Sequence, residues 1–248
     1  MSFDVAYLRI KRAVGSSEEC FLCKLEEESE NKYVNDYLSE LVMDSAARQK
    51  IIENRGFCNY HFYKMLTAAS KPASPDGHGI ALINKSIVDT LIEDFHKRKA
   101  QQNSNFDKLF ATENSCPVCV HISHFSERYI SKTLELISSG NEDFLSILEK
   151  SKGFCIPHFV MLIHNAATLP FQNQKIINTL IEVEEKNLRR LQSELAEYIK
   201  RQSYEFSEKD RAAIAGIVTR SVKKLTGKLG IEKEFREIMK AANDKWKS

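Results

Sequence analysis

The chain has 248 residues, of which 42% are apolar and 28% are charged, and its formal net charge is +2. This composition excludes an intrinsically disordered chain, and so small a net charge does not by itself indicate a nucleic-acid or membrane partner. The N-terminal stretch lacks the apolar core of a signal peptide and no apolar run is long enough to span a bilayer, so we expect a cytoplasmic protein.

A helical unit is predicted from the first 100 residues. It opens with a CxxC pair, Cys20 and Cys23, and apolar residues then recur every four positions over residues 33–42, which is typical of a helix. A short returning helix is followed by Gly-Phe-Cys-x-x-His-Phe at residues 56–62, where the glycine ends one helix and the Cys-x-x-His begins another. Apolar residues spaced three or four apart over residues 80–95 predict a long fourth helix.

The same pattern recurs further along the chain. A shift of 96 residues superposes the first CxxC on Cys116 and Cys119 and also matches the apolar positions that follow. After one inserted residue, Gly-Phe-Cys-x-x-His-Phe recurs at residues 153–159, and a long amphipathic helix follows again. Because apolar positions are repeated together with the cysteines, we interpret the pattern as a duplicated supersecondary unit.

The sequence therefore predicts an all-α fold with three parts. Residues 1–113 form the first repeat, residues 114–206 form the second, and residues 207–248 form a C-terminal helical pair packed on them. The first helix of that pair has an apolar face made by Ile214, Ile217, Val218, Val222 and Leu225. The second helix carries Phe235, Ile238, Met239 and Trp246.

All six cysteines and two of the histidines belong to the repeated motifs. The first predicted metal set is Cys20, Cys23, Cys58 and His61, and the second is Cys116, Cys119, Cys155 and His158. Each set supplies the four N/S ligands that tetrahedral Zn²⁺ requires, and four protein ligands indicate a structural site rather than a catalytic one. We expect each set to close its own repeat, with both half-sites at helix N-termini, whose dipoles favour thiolates.

Other interpretations of the cysteines stay open. An iron–sulfur cluster is compatible with the spacing. Dithiol redox chemistry at each CxxC would leave the two Cys-x-x-His motifs without a role. His121 and His124 follow the second CxxC and are expected near the metal or at the surface, with exchange for His158 as an alternative.

The sequence contains no phosphate-binding glycine loop, no G-x-S-x-G and no HExxH. We therefore expect a metal-stabilised scaffold or interaction protein rather than an enzyme. Residues 207–248 hold eleven Lys and Arg against six Asp and Glu. A nucleic-acid-binding regulator that uses this basic segment is therefore an alternative, as is an unidentified protein partner.

The doubled CxxC and Gly-Phe-Cys-x-x-His-Phe motifs, together with a basic helical end, resemble an uncharacterised prokaryotic family met in archaea and anaerobic bacteria. The resemblance covers residues from about 19 to 230. It implies a cytoplasmic protein whose signature residues are the eight metal-ligand candidates, and it implies no activity.

Overall fold

A computed structural model of the chain describes residues 4–70, 77–100, 116–169, 173–203 and 216–230, with positions 205, 207–209 and 214. Throughout these residues the regular structure is helical and no strand occurs, so the predicted all-α class is confirmed. In the same residues, no helix has both the length and the apolar content needed to cross a bilayer.

The helices of the described chain follow one order twice. They are α1 (Val5–Ser16), α2 (Phe21–Ser39), α3 (Ser45–Glu53), α4 (Asn59–Ala69), α5 (His78–Ala100), α6 (Pro117–Ser138), α7 (Glu142–Lys150), α8 (Ile156–Ala167), α9 (Asn173–Lys200) and α10 (Gly216–Thr226), with a 3-10 turn at Leu41–Met43. The succession of long, short, short and long helices in α2–α5 returns in α6–α9. This order agrees with a repeated unit, although the duplication itself stays a prediction. Helix α1 was not predicted from the sequence.

Short polar residues fix the start of three helices. The side chains of Asp4, Asp44 and Asn141 accept hydrogen bonds from the backbone N–H three residues later, at 3.1, 2.7 and 2.8 Å. Each bond satisfies a donor that the first helical turn leaves without a partner. Helices α1, α3 and α7 therefore begin at positions that the local sequence determines.

The chain forms two compact units. Unit one comprises Met1–Glu27 and Ser126–Ser248, and unit two comprises Glu28–Phe125. The boundary between Glu27 and Glu28 falls inside α2, and the boundary between Phe125 and Ser126 falls inside α6. Because these units follow spatial contacts and the predicted repeats follow the sequence, the repeat boundaries stay a prediction.

Each unit has its own apolar core. The core of unit two includes Val34, Tyr37, Leu38, Val42, Ile51, Phe57, Met65, Ile83, Ile87, Val118 and Ile122. Buried apolar residues of unit one include Ile10, Phe21, Leu22, Phe144, Leu148, Phe154, Met161, Leu162, Ile176, Leu180 and Ile217.

The orientation of helix α10 differs from the one that its apolar face predicts. Its predicted apolar face is largely exposed at Val218, Val222 and Leu225, whereas Ile217, Ser221 and Lys224 are buried. The orientation follows from charge, because Lys224 forms an ion pair with Glu184 in the interior. The helix ends before Gly227, as expected, and that glycine adopts a positive φ of 78°. The predicted last helix, with Phe235, Ile238, Met239 and Trp246, lies outside the described residues.

Candidate metal centres

Four helix N-termini carry the candidate cysteines. Cys58 and Cys155 are the N-cap residues of α4 and α8. Cys20 and Cys116 directly precede the first residues of α2 and α6. The expectation that the half-sites lie at helix N-termini is therefore confirmed. The positive ends of the helix dipoles favour thiolates at these positions.

The structure groups the ligands differently from the sequence prediction. The first centre consists of Cys20, Cys23, Cys155 and His158, and the second centre consists of Cys58, His61, Cys116 and Cys119. Within each centre the four ligand atoms lie within 4.8 Å of one another. Each CxxC thus meets the Cys-x-x-His of the other predicted repeat, and the expectation that each repeat closes its own site was wrong.

Helix lengths explain this exchange. Helix α2 has 19 residues and α3, which returns the chain, has nine. At 1.5 Å per residue these are about 28 and 14 Å, so the returning helix covers about half of the outgoing one. The hairpin therefore does not bring Cys58 back to the start of α2. The second hairpin repeats this mismatch, with 22 residues in α6 and nine in α7.

In the first centre, His158 lies among three sulfurs. Its Nδ1 is 3.2 Å from Sγ of Cys155, 3.4 Å from Sγ of Cys23 and 3.5 Å from Sγ of Cys20. The sulfurs of Cys23 and Cys155 are 3.5 Å apart. Cys20, Cys155 and His158 are buried, while Cys23 is half-buried.

The second centre has the same arrangement. Nδ1 of His61 is 3.1 Å from Sγ of Cys58 and 3.4 Å from the sulfurs of Cys116 and Cys119. The sulfurs of Cys58 and Cys119 are 3.7 Å apart. His61 is buried, but all three cysteines are half-buried. The second centre is therefore the more accessible of the two.

These distances match the edges of a small tetrahedron. With Zn–S bonds of about 2.3 Å, two sulfurs at tetrahedral angles would be about 3.8 Å apart. The observed sulfur–sulfur separations of 3.5 and 3.7 Å are close to that value. Three sulfurs and one imidazole nitrogen also form a donor set that suits zinc. The residues present at both centres therefore fit a single metal ion.

Each histidine is held from its other nitrogen by a buried glutamate. Nε2 of His158 is 2.9 Å from Oε1 of Glu26, and Nε2 of His61 is 2.8 Å from Oε1 of Glu30. Because a carboxylate accepts, Nε2 carries a proton and Nδ1 is the ring nitrogen that faces the sulfurs. Once Nδ1 has lost its own proton, each imidazole is in the tautomer that a metal ligand needs.

These two glutamates were not among the residues predicted for the sites. Cys23, Glu26 and Glu30 are spaced three and four residues apart, which places them on one face of α2. That spacing was the available signal, but the neighbouring acidic residues Glu27 and Glu28 obscured it.

Comparison with known proteins identifies a family but no function. The sequence model of a family of unknown function, DUF6062, matches residues 1–232. The chain belongs to this family. No curated protein and no solved structure matches the chain. The expected membership in an uncharacterised family is confirmed, whereas prokaryotic origin and the motif signature stay predictions.

The glycine and phenylalanines of the repeated motif pack beside each centre. At Gly56, which has a φ of 103°, an added Cβ would lie 2.4 Å from the ring of Phe62. The ring of Phe57 lies between those of Phe62 and Tyr37, at centroid distances of 5.4 and 5.6 Å. In the first centre, Phe154 instead contacts Phe21 at 5.3 Å. These contacts explain why the motif includes Gly-Phe before the cysteine.

The charges at the second centre are unevenly distributed. Hydrogen bonds from Cys116 and Cys119 lower the pKa of Cys58 far below its usual value. Interactions with Cys116 and Cys58 raise the pKa of Cys119 far above its usual value. Burial opposes protonation of His61, but Cys116, Cys58 and Glu30 outweigh it and raise its pKa to about 10. The apo centre therefore pairs a thiolate with an imidazolium and retains a protonated thiol.

The first centre also combines lowered and raised cysteine pKa values, but here the pKa of Cys20 in the CxxC pair is lowered and that of the Cys-x-x-His cysteine, Cys155, is raised. Burial opposes ionisation of Cys20, yet hydrogen bonds from Cys155 and Cys23 and the charge of His158 hold its pKa well below the usual value. Burial raises the pKa of Cys155. Burial disfavours protonation of His158, but Glu26 and the sulfurs outweigh it and raise its pKa. A metal ion at either centre must therefore displace protons.

His121 and His124 belong to neither cluster. Nε2 of His121 is 2.9 Å from Oγ of Ser29, and its ring contacts that of Tyr33 at 4.7 Å. Burial lowers the pKa of His121, so the ring is held neutral. Since Cys116 and Cys119 are grouped with His61, the expectation that a neighbouring histidine could replace His158 has no support in this arrangement.

Proposed function

We propose that the protein is a zinc-binding helical scaffold or interaction protein of the cytoplasm, with two Cys₃His centres of structural role. The observation that carries this proposal is the paired geometry of the centres. In each, the four ligand atoms lie within 4.8 Å, and a buried carboxylate orients the histidine. Four protein ligands leave no position open for a substrate, which favours a structural site.

The spacing of the sulfurs favours one ion over a multinuclear cluster. Sulfurs 3.5 to 3.7 Å apart leave room for a single metal ion between them. An iron–sulfur cluster would have to push the ligands apart, because several iron and sulfide ions would occupy the same space. Zinc, with its preference for tetrahedral thiolate and imidazole ligands, is the better fit.

The alternative of a nucleic-acid regulator receives little support from α10. Three of its basic residues already have acidic partners: Arg220 with Glu194 at 2.8 Å, Lys223 with Glu18 and Lys224 with Glu184. Charges that are neutralised within the protein add little to phosphate binding.

Elemental analysis of the anaerobically purified full-length chain tests the proposal, together with its visible absorption spectrum. We expect about two zinc ions per chain and a colourless protein, because zinc has a filled d shell. Iron with a brown chromophore would overturn the assignment of zinc. A chain without any bound metal would overturn the proposal as a whole.

A further inference from the structure

The residue before Cys20 is anchored by two arginines. Glu19 is almost fully buried, and its Oε2 lies 2.6 Å from a guanidinium nitrogen of Arg190 on α9. Its Oε1 lies 3.4 Å from a guanidinium nitrogen of Arg220 on α10. A buried carboxylate needs such partners, since an unpaired one would be costly to keep in the interior. The backbone directly before Cys20 is therefore held in place by side chains of α9 and α10.

The residue before Cys155 is anchored in a comparable way. The backbone N–H of Phe154 donates to Oε2 of Glu184 at 3.0 Å, and Oε1 of Glu184 lies 2.9 Å from Nζ of Lys224. Lys224, whose exposure is 0%, also donates to the carbonyl of Lys152 at 2.9 Å. The loop that carries Cys155 is thus held on both sides of Gly153 by one buried ion pair.

Both anchors include a cation from the same helix. Arg220 and Lys224 are four residues apart, so they project from one face of α10. Helix α10 and the turn after it also border a cavity of about 650 Å³ onto which Cys20 and Cys23 open. The first centre consequently has α10 on one side and depends on it for the position of two cysteine loops.

The loop of the second centre is held by different contacts. There Gly56, which precedes Phe57 and Cys58, packs against Phe62 and Ile87. The neighbouring Arg55 forms an ion pair with Asp94 on α5. No residue of α10 takes part in these contacts. The two centres therefore differ in what positions them, although their ligands are alike.

We propose that Arg220 and Lys224 are positioning residues of the first metal centre, so that docking of α10 sets the affinity of this centre for metal. The inference rests on the proposed function, because it requires that the first centre binds a metal ion. By linkage the relation is reciprocal: metal at the first centre stabilises the docked position of α10. Any process that displaces α10 then weakens the first centre and leaves the second unchanged.

Cobalt titration of single-centre chains tests this proposal. Cys58→Ser leaves the first centre intact, and Cys155→Ser leaves the second. Cobalt bound by thiolates gives absorption bands that report each affinity. In the Cys58→Ser background, we expect Lys224→Met to weaken cobalt binding by 10- to 100-fold, the usual range for residues that orient metal ligands. In the Cys155→Ser background, the same substitution should leave the affinity unchanged.

Two further variants make the result specific. Lys223→Met removes the same charge from the adjacent position. Its ion pair with Glu18 joins two exposed side chains and contributes little, so this substitution should weaken the first centre far less than Lys224→Met does. Arg220→Met removes the other anchoring cation, whose side chain is only half-buried. This variant replaces Lys224→Met in the titration if circular dichroism shows that Lys224→Met does not fold. Unchanged cobalt affinity of the first centre in either anchor variant, or equal weakening of both centres, would overturn the proposal.

Hydrogen exchange supplies the reciprocal measurement. In the Cys58→Ser chain, amides of residues 217–226 should exchange more slowly once zinc is added, and exchange that is insensitive to zinc would contradict the coupling. If the unsubstituted chain binds no cobalt at all, the proposed function fails. If it binds two ions and Lys224→Met retains both affinities, only this inference fails.

Discussion

Glu26 and Glu30 lie one turn apart on α2, and each holds the histidine of a different candidate metal centre. Oε1 of Glu26 is 2.9 Å from His158 and Oε1 of Glu30 is 2.8 Å from His61. The positions that correspond to them in the second predicted repeat, 96 residues later, are Ile122 and Ser126. One helix therefore supplies the orienting carboxylate for both centres, and this part of the sites is not repeated.

Replacing either glutamate should affect one centre only. We expect Glu26→Gln to weaken metal binding at the first centre about 10-fold or more, and Glu30→Gln to do the same at the second. The amide can still accept the hydrogen bond from Nε2, but it removes the negative charge that strengthens the ligand. Cobalt titration in the Cys58→Ser and Cys155→Ser backgrounds measures each affinity separately.

Glu27→Gln is the matched control, because this residue is on the same helix and exposed. It should leave both affinities unchanged. Equal weakening by all three substitutions would indicate a general effect of charge, and the specific role of Glu26 and Glu30 would have to be abandoned.

Gly153 should be far less tolerant of substitution than Gly140. Both have a positive φ, 71° and 67°, so alanine costs about 1 kcal/mol at either position. At Gly153 the new Cβ would also lie 2.7 Å from Oε2 of Glu184 and 3.3 Å from Nζ of Lys224, whereas at Gly140 nothing lies within 4 Å. Overpacking of this kind adds about 1–3 kcal/mol.

Urea unfolding of Gly153→Ala and Gly140→Ala measures this difference directly. We expect a clearly lower midpoint for Gly153→Ala and loss of metal at the first centre. Equal midpoints would show that the buried Glu184–Lys224 pair does not press against the cysteine loop.

Metal binding should release protons and strengthen as the pH rises. In the apo second centre the pKa of His61 is raised to about 10 and that of Cys119 is raised far above its usual value, so both carry a proton at neutral pH. A metal ion must displace both, one from Nδ1 and one from the thiol. Affinity therefore falls as the pH decreases, because protons compete with the metal.

Calorimetry of zinc binding in buffers of different ionisation enthalpy counts these protons. For the Cys155→Ser chain, which keeps only the second centre, we expect release of at least two protons per zinc ion at pH 7. Release of fewer than one would mean that the centre is already deprotonated before the metal arrives.

The eight residues of the two clusters were predictable from the sequence, because CxxC and Cys-x-x-His are local patterns. A helix N-terminus places Cys58 and His61 on one side of α4 without any contribution from the rest of the fold. The all-α class also followed from local periodicity. The predicted membership in an uncharacterised family rested on the same motifs.

The pairing of the half-sites was not predictable in the same way. A gap of 34 residues between Cys23 and Cys58 is long enough for a hairpin to return to its start, and nothing local reveals that α3 is too short to do so. The burial of Lys224 was likewise hidden, since a lysine in an amphipathic pattern is normally exposed. Both depend on tertiary contacts between segments far apart in the chain.

The metal content of two double variants tests the exchange of half-sites most directly. Cys20→Ser/Cys155→Ser places both substitutions in the first centre, whereas Cys20→Ser/Cys58→Ser places one in each centre. After exposure to a chelator, we expect about one zinc ion per chain in the former variant and almost none in the latter, because a centre with all four ligands retains its ion. The reverse result, with zinc retained by Cys20→Ser/Cys58→Ser and lost by Cys20→Ser/Cys155→Ser, would show that each repeat closes its own site and would contradict the arrangement described.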